Sequence, residues 1–125
     1  MIRTCPACGQ KNRVPAKSAV ALARCGKCRA EIPPPSEPLE AGPELFDEVV
    51  GSSPVPVLVD FWASWCAPCR RAAPEVARAA AETAGRAVVL KVDTEAWPEL
   101  AARYRVQSIP NFVVLSGGSV VVQQP

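Results

Sequence analysis

The sequence predicts an α/β fold in which helices flank a mixed central sheet, with a small cysteine-rich head in front of it. The chain has 125 residues, 49% of them hydrophobic and 21% charged, enough for one compact domain of about 100 residues and a small appendage. After residue 43, apolar runs alternate with helical patterns, which is typical of a sheet with parallel strands. Six cysteines form three C-x-x-C pairs, and the lack of histidine excludes Cys-His and Ser-His-Asp catalysis. We therefore expect the thiols to carry the chemistry.

The elements of the sheet-forming part follow in the order α, β, α, β, α, β, β. Near-continuous apolar runs with β-branched residues indicate strands that are buried on both faces. Gly85 ends an alanine-rich helix that Pro74 should kink, and Gly117 and Gly118 form the turn of a hairpin. The first strands should pair in parallel and the last two antiparallel. The predicted ranges are helices over 44–50, 66–84 and 95–104, and strands over 55–62, 87–92, 111–115 and 119–123.

Charge divides the chain into two parts that its net charge of +2 conceals. Residues 1–32 carry seven basic side chains and one acid, a balance of +6, whereas the rest carry seven bases and eleven acids, or −4. Between them, the three prolines at 33–35 favour extended backbone and predict a semi-rigid linker. We expect a head over 1–32, a linker over 33–43 and an α/β domain over 44–125. Charge could also dock the basic head on the acidic residues that lie between 37 and 60.

The four cysteines of the head have the spacing of a zinc site. Each pair is a C-x-x-C knuckle, and 16 residues separate the two pairs. About 32 residues cannot bury a self-sufficient core, so a bound metal would hold them together. Two local disulfides or four idle thiols are the alternatives. The interpretation is one structural Zn²⁺ per chain, bound by Cys5, Cys8, Cys25 and Cys28.

The third pair, Cys66 and Cys69, lies between a predicted buried strand and a helix start. One pair cannot complete a tetrahedral zinc site, so this pair is free for redox chemistry. The amide groups and macrodipole of a helix N-terminus stabilise a thiolate at Cys66, and the strand-to-helix position should expose its sulfur. We expect Cys66 to attack a disulfide and Cys69 to resolve the mixed disulfide, which leaves the pair oxidised. The alternative is a pair of buried structural cysteines.

The residues around this pair resemble the thioredoxin family. The motif W-C-A-P-C at 65–69 follows D-F-W-A at 60–63 and precedes S-I-P at 108–110. With its cysteine head, the chain is similar to the zinc-containing thioredoxin-2 type over nearly its whole length. The resemblance implies a thioredoxin fold and a protein-disulfide reductase without a bound organic cofactor. It also implies two kinds of partner, namely oxidised substrate proteins and an NADPH- and flavin-dependent thioredoxin reductase.

The resemblance assigns roles to residues beside the two cysteines. Asp60 matches the buried carboxylate that accepts the proton of the resolving cysteine, and its apolar neighbours favour burial. Lys91 matches the lysine near that acid, with an exposed strand lysine as the alternative. Pro110 matches a cis-proline that faces the dithiol, with a trans loop proline as the alternative. Trp65 matches an aromatic residue that flanks the site, as does Trp62 unless it only packs in the core.

The sequence also departs from the family's pattern. Ala67 stands between the cysteines where glycine is usual, and Asn111 replaces a threonine, so the reduction potential and the direction of electron flow stay open. Arg105 replaces a glycine, which predicts strain if the backbone there keeps a positive φ. The C-terminal helix of the family has no counterpart before Pro125; if the chain ends there naturally and is not truncated, we expect the valines at 120–122 to be partly uncovered.

Other functions stay open as alternatives. The same pair could serve a thiol oxidase or isomerase, which a measured reduction potential would distinguish. The head could be a non-catalytic binding module, or a redox sensor that loses its metal on oxidation. It has no aromatic residue for stacking on bases, which argues against a nucleic-acid partner. No signal peptide or membrane-spanning run is recognisable, so we expect a cytoplasmic location and no membrane partner.

Overall fold

A computed structural model describes all 125 residues of the chain. In it, the head consists of two small antiparallel hairpins. Strand β1 (Ile2–Thr4) pairs with β2 (Lys11–Arg13), and β3 (Ala23–Arg24) pairs with β4 (Glu31–Ile32). A 3-10 turn at Ala16–Ser18 lies between the hairpins. Each hairpin loop carries one C-x-x-C pair, so the strands present each knuckle at the end of a rigid ribbon.

A five-stranded mixed sheet forms the centre of the remaining chain, in the spatial order β5-β7-β6-β8-β9. Strands β5 and β6 are both parallel to β7, whereas β8 is antiparallel to β6 and to β9. The predicted mixed sheet is therefore confirmed, with its first strands parallel and its last two antiparallel. Its strands are β5 (Leu39–Glu40), β6 (Val57–Trp62), β7 (Val88–Asp93), β8 (Asn111–Ser116) and β9 (Ser119–Gln124).

Strand β5 is an element that the sequence did not predict. It lies inside the range 33–43 that was expected to be linker, and it pairs with Leu90 and Lys91 of β7. The backbone N–H of Ala41 extends the pairing by donating to the carbonyl oxygen of Lys91 at 2.9 Å. Two residues are too few to show the alternation of apolar and polar side chains that predicts a strand. Only their hydrogen bonds to β7 identify them as one.

Three helices flank the sheet, namely α1 (Pro43–Ser52), α2 (Ala67–Glu82) and α3 (Pro98–Arg103). Each has a proline in its first turn, where the missing N–H would have no helical partner. Helix α3 begins later than predicted because the Asp93 carboxylate accepts the N–H groups of Glu95 and Ala96 and holds that segment in a turn. Helix α2 continues through Pro74.

One apolar core joins the head to the sheet. It contains Phe46 and Val49 of α1 together with inward-facing residues of β6, β7 and β8. Four residues of the head belong to the same cluster, namely Met1, Val14, Ala16 and Ala19. The Met1 ammonium pairs with Glu48 at 2.5 Å, but no basic side chain of the head pairs with an acid. The head therefore lies against the acidic segment as hypothesised, but apolar burial joins the two parts and charge contributes the single ion pair of Met1 with Glu48.

Arg3 ties the head to the segment that leaves it. Its side chain is only 4% exposed, and its guanidinium donates to four backbone carbonyl oxygens at 2.6 to 3.3 Å. The acceptors belong to Ser18, Ala21, Ile32 and Pro33. Burial lowers the pKa of Arg3. One buried cation thus satisfies carbonyls from both sides of the second hairpin, which fixes where the chain exits the head.

The far edge of the sheet is open. Val120, Val121 and Val122 of β9 are exposed, as the sequence predicts. None of the helices combines the length and the apolar character that crossing a bilayer requires.

Candidate active site and metal centre

Cys66 and Cys69 lie where strand β6 leads into helix α2. Cys66 is the N-cap of α2, and its Sγ accepts a hydrogen bond from the backbone N–H of Cys69 at 3.2 Å. The two residues form a disulfide, with a Cα–Cα distance of 5.2 Å. Both sulfurs are buried in this state, so the expected exposure of the first sulfur is not met in the disulfide. The helix position that the sequence predicts for Cys66 is confirmed.

The loop before β8 faces the disulfide. The Ile109–Pro110 peptide bond is cis, and the carbonyl oxygen of Ile109 lies 3.7 Å from the Sγ of Cys66. Trp65, the residue before Cys66, is 64% exposed, and its indole N–H donates to Glu95 at 2.8 Å. Cys66 Sγ therefore faces a backbone carbonyl, and an exposed aromatic residue precedes it in the chain.

Asp60 is a buried acid on the sheet face that α2 covers. It is 3% exposed, and its Oδ1 has no hydrogen-bond partner. Burial raises the pKa of Asp60 to about 6, with Lys91 opposing the rise and Glu40 adding to it. A carboxyl group with a pKa near neutrality can accept and return a proton under physiological conditions.

Lys91 is half-buried on β7, directly opposite Asp60 in the parallel pair of β6 and β7. Its Nζ lies 4.4 Å from the centre of the Trp62 ring, a cation–π contact. Trp62 thus packs beside the charged groups rather than only in the core. Its indole N–H is buried without a hydrogen-bond partner.

The four cysteines of the head converge on one point. Their Sγ atoms all lie within 4.8 Å of one another, and the pairs Cys5–Cys28 and Cys8–Cys25 are each 3.6 Å apart. A tetrahedral zinc ion with Zn–S bonds of about 2.3 Å requires sulfurs about 3.8 Å apart. The donor set and its spacing therefore fit zinc. They do not fit local disulfides, because all four thiols are free and the close pairs join different knuckles.

Hydrogen bonds around these sulfurs favour thiolates at some positions. Amide groups of the second knuckle, first that of Cys28, lower the pKa of Cys25 to about 6 against the effect of burial. Asn12 supports the same sulfur, because its side-chain amide lies 3.6 Å from Cys25 Sγ and its Oδ1 accepts the Gly26 N–H at 2.9 Å. The Ala30 amide lowers the pKa of Cys28, but the neighbouring thiols together raise it to about 11. Without a cation, the four groups cannot all be ionised at neutral pH.

The structure brings together most of the residues that the sequence singles out. Cys66 and Cys69 lie beside the loop of Pro110, and Trp65 flanks them, while the four head cysteines form a separate cluster. The sequence missed Glu95 and Glu40. The first reaches Trp65 from a loop 30 residues away, and the second depends on the unpredicted strand β5, so no local pattern indicates either residue.

Comparison with known proteins agrees with this geometry. The thioredoxin family model matches residues 37–124, and the family model for the N-terminal zinc ribbon of thioredoxin 2 matches residues 4–30. Thioredoxin C-3 of Corynebacterium nephridii is 40% identical over 116 residues, which cover 93% of this chain and 79% of that protein. Thioredoxin 1 of Chlorobaculum tepidum is 42% identical over 77 residues, which cover 62% of this chain and 76% of that protein.

Solved structures show the same fold. A variant thioredoxin from Halobacterium salinarum has a TM-score of 0.63 and 35% identity over 72% of this chain and 78% of its own. Thioredoxin f from spinach chloroplast has a TM-score of 0.68 over 87% of this chain and 78% of its own, and at 23% identity it supports the fold alone. The chain therefore belongs to the thioredoxin family of thiol–disulfide oxidoreductases, and its head belongs to the zinc-ribbon family of thioredoxin 2.

Proposed function

We propose that this chain is a protein-disulfide reductase in which Cys66 is the nucleophile and Cys69 the resolving thiol. The observation that carries the proposal is the position of Cys66 Sγ at the N-terminus of α2, 3.2 Å from the Cys69 amide. A backbone N–H directed at sulfur favours the thiolate, as does the positive end of the helix dipole. Because both sulfurs are buried in the disulfide, the assignment rests on helix position and not on exposure.

Reduction moves two electrons from the dithiol to the substrate disulfide. The Cys66 thiolate attacks one substrate sulfur, the substrate S–S bond breaks, and the other sulfur leaves as a thiolate. Cys69 then loses its proton and attacks Cys66 Sγ, which forms the Cys66–Cys69 bond and releases the second substrate thiolate. The proton of Cys69 and one proton from water complete the two substrate thiols.

Asp60 is our candidate for the group that takes the proton of Cys69. Its support is burial on the face under α2, where Cys69 is also buried, and a pKa that burial raises to about 6. Such a carboxylate is mostly ionised at pH 7 and is still basic enough to take a proton from a thiol. Lys91 would stabilise the ionised form, because its charge opposes the effect of burial on that pKa.

Pro110 and Trp65 would position the substrate. Pro110 has no backbone N–H, so the adjacent peptide surface presents the Ile109 carbonyl, 3.7 Å from Cys66 Sγ, to an incoming chain. Trp65 offers an exposed apolar ring whose orientation is held by its hydrogen bond to Glu95. Contacts to backbone and to a flat ring suit many different substrate proteins.

We assign a structural role to the metal centre of the head. Cys5, Cys8, Cys25 and Cys28 would bind one Zn²⁺ per chain, and the ion would supply the cross-links that the short hairpins lack. The segments 1–32, 33–43 and 44–125 remain our proposal for head, linker and catalytic domain, except that β5 at the end of the linker range forms an edge of the catalytic sheet. Membership of the family supports oxidised proteins as substrates, a thioredoxin reductase as electron donor and a cytoplasmic location.

Reduction of insulin disulfides with dithiothreitol as electron donor tests the proposal. Cys66→Ser should abolish the activity, and Cys69→Ser, reduced first and then mixed with insulin after removal of dithiothreitol, should retain the first attack and accumulate a mixed disulfide detectable by mass spectrometry. Ser64→Ala is the matched control, because it changes a neighbouring hydroxyl without removing a thiol, and it should keep full activity. Full activity of Cys66→Ser would refute the assignment.

Metal content tests the head. We expect one zinc per chain by elemental analysis and less than a tenth of that value in Cys25→Ser. A measured reduction potential distinguishes a reductase from an oxidase or isomerase, because a value close to −270 mV, that of thioredoxin, favours electron flow to substrates.

A further inference from the structure

The edge strand β5 adds a third charged residue to the row that contains Asp60. In the parallel register, Glu40 of β5 lies opposite Lys91 of β7, and Lys91 lies opposite Asp60 of β6. Residues paired across neighbouring strands point to the same face of a sheet. An acid, a base and an acid therefore follow one another across adjacent strands, with the buried acid innermost.

Lys91 is shared within this row. Its ammonium forms no ion pair with either carboxylate and lies over the ring of Trp62, which projects from the same face of β6. Burial raises the pKa of Glu40, while the charge of Lys91 lowers it. Lys91 thus lowers the pKa of both acids, and the charge of Glu40 in turn raises the pKa of Asp60.

We propose that Glu40 is a positioning residue of the dithiol reaction, because its negative charge, two strands from Asp60 on the same sheet face, opposes the charge of Lys91 and so keeps Asp60 basic enough to take the proton of Cys69. The inference rests on the proposed role of Asp60 as proton acceptor. Glu40 itself touches neither the cysteines nor the substrate. It acts on Asp60 from across Lys91, on a strand that the sequence assigned to a linker.

Few other groups lie where they could shift the pKa of Asp60. On β8 its register partner is the apolar Phe112, and the buried face of α2 contributes Cys69 as its single titratable group. The charged groups that act on Asp60 are Lys91 and Glu40. Asp93 adds to the rise of the Glu40 pKa.

The groove between β5, α1 and the head holds other charges near Glu40. Its lining includes Arg13, Glu44 and Glu48. None of them forms an ion pair with Glu40. Glu48 pairs with the N-terminus of the chain instead. Glu40 is therefore free to respond to Lys91.

Distance sets the size of the effect. Neighbouring strands are about 4.8 Å apart, so residues two strands apart are separated by about 10 Å, which is close to the Debye length in 0.1 M salt. Removing the charge of Glu40 should lower the titration midpoint of Asp60 by about half a pH unit at low ionic strength. The shift should shrink in 0.5 M salt, because Glu40 lies on an exposed edge strand.

The experiment compares Glu40→Gln with Glu37→Gln in the full zinc-loaded chain. Both variants lose one negative charge, but Glu37 is exposed and outside the strand. The Asp60 carboxyl is titrated by carbon-13 NMR of the oxidised protein, and insulin reduction is measured at pH 5.5 and 7.5. In Glu40→Gln, but not in Glu37→Gln, the midpoint should fall by about half a unit, and the ratio of the rates at pH 5.5 and 7.5 should rise about twofold.

Each possible result decides between the two proposals. An unchanged Asp60 midpoint in Glu40→Gln, or an equal shift in Glu37→Gln, would overturn the role of Glu40. The variant Asp60→Asn tests the acceptor itself. If it keeps the full rate at pH 7.5, the role of Asp60 fails and the inference fails with it. If its rate falls while Glu40→Gln leaves the midpoint unchanged, the acceptor stands and only the inference is rejected.

Discussion

Replacing Asp60 by asparagine should stabilise the folded chain at neutral pH and have much less effect in acid. Burial raises the pKa of Asp60 from 3.8 to about 6, a difference of about two pH units, or about 3 kcal/mol at 1.36 kcal/mol per unit. An acid whose pKa is raised on folding binds its proton more tightly in the folded state, so the free energy of unfolding falls as pH rises through this window. Above pH 7 the full cost of about 3 kcal/mol is present, and below about pH 4 both states are protonated and the cost is absent.

The assay is urea unfolding of the oxidised chain and of Asp60→Asn at pH 4.5 and pH 8. The buried amide of asparagine adds a constant offset, so the informative quantity is how much the difference in unfolding free energy between the two proteins changes with pH. The free energy of unfolding of Asp60→Asn relative to that of the unchanged chain should rise by about 2 kcal/mol from pH 4.5 to pH 8. Glu37→Gln, an exposed acid, is the control and should show no such change. A difference that is the same at both pH values would refute a raised pKa in the folded state.

Three further substitutions test features away from the dithiol. Gly42→Ala should lower stability by about 1 to 3 kcal/mol in urea unfolding, because its Cβ would lie 2.9 Å from the Trp97 ring, and a neutral result would contradict that close contact. Arg105→Gly should raise the melting temperature by a few degrees, since Arg105 has a φ of +55° that glycine adopts without strain, whereas a lower melting temperature would argue against strain there. Arg3→Met should speed the transfer of zinc to a chromogenic chelator at least tenfold, because four carbonyl oxygens lose their donor. Zinc release at an unchanged rate would show that Arg3 does not hold the head closed.

In the head, the spacing of the cysteines alone predicts that the four sulfurs lie together. Two C-x-x-C knuckles 16 residues apart are enough to predict one four-sulfur cluster, and the sulfurs do lie within 4.8 Å of one another. Charge was a poorer guide, because the docking of the head depends on Met1, Val14 and other small apolar residues that show no local pattern. Apolar burial needs a partner surface, and α1 supplies that surface from a distant part of the chain.

Strand β5 shows the opposite limit. Its two residues have no periodicity, and the prolines before them indicate a linker. Only the hydrogen bonds to β7 make them a strand, and only that register brings Glu40 level with Lys91 and Asp60. No sequence pattern therefore indicates that Glu40 lies near Asp60.

Short stretches of sequence specify the chemical groups of both cysteine sites. A sulfur at the first turn of a helix, a second sulfur one turn later and four sulfurs in two knuckles are all specified within a few residues, because capping and knuckle geometry depend on short-range hydrogen bonds. Long-range contacts specify which side chains modulate the reactivity of those groups. Strand register and packing between residues far apart in the chain set the pKa of Asp60 and place the Ile109 carbonyl opposite Cys66. Apolar packing of the same long-range kind fixes the position of the head against α1.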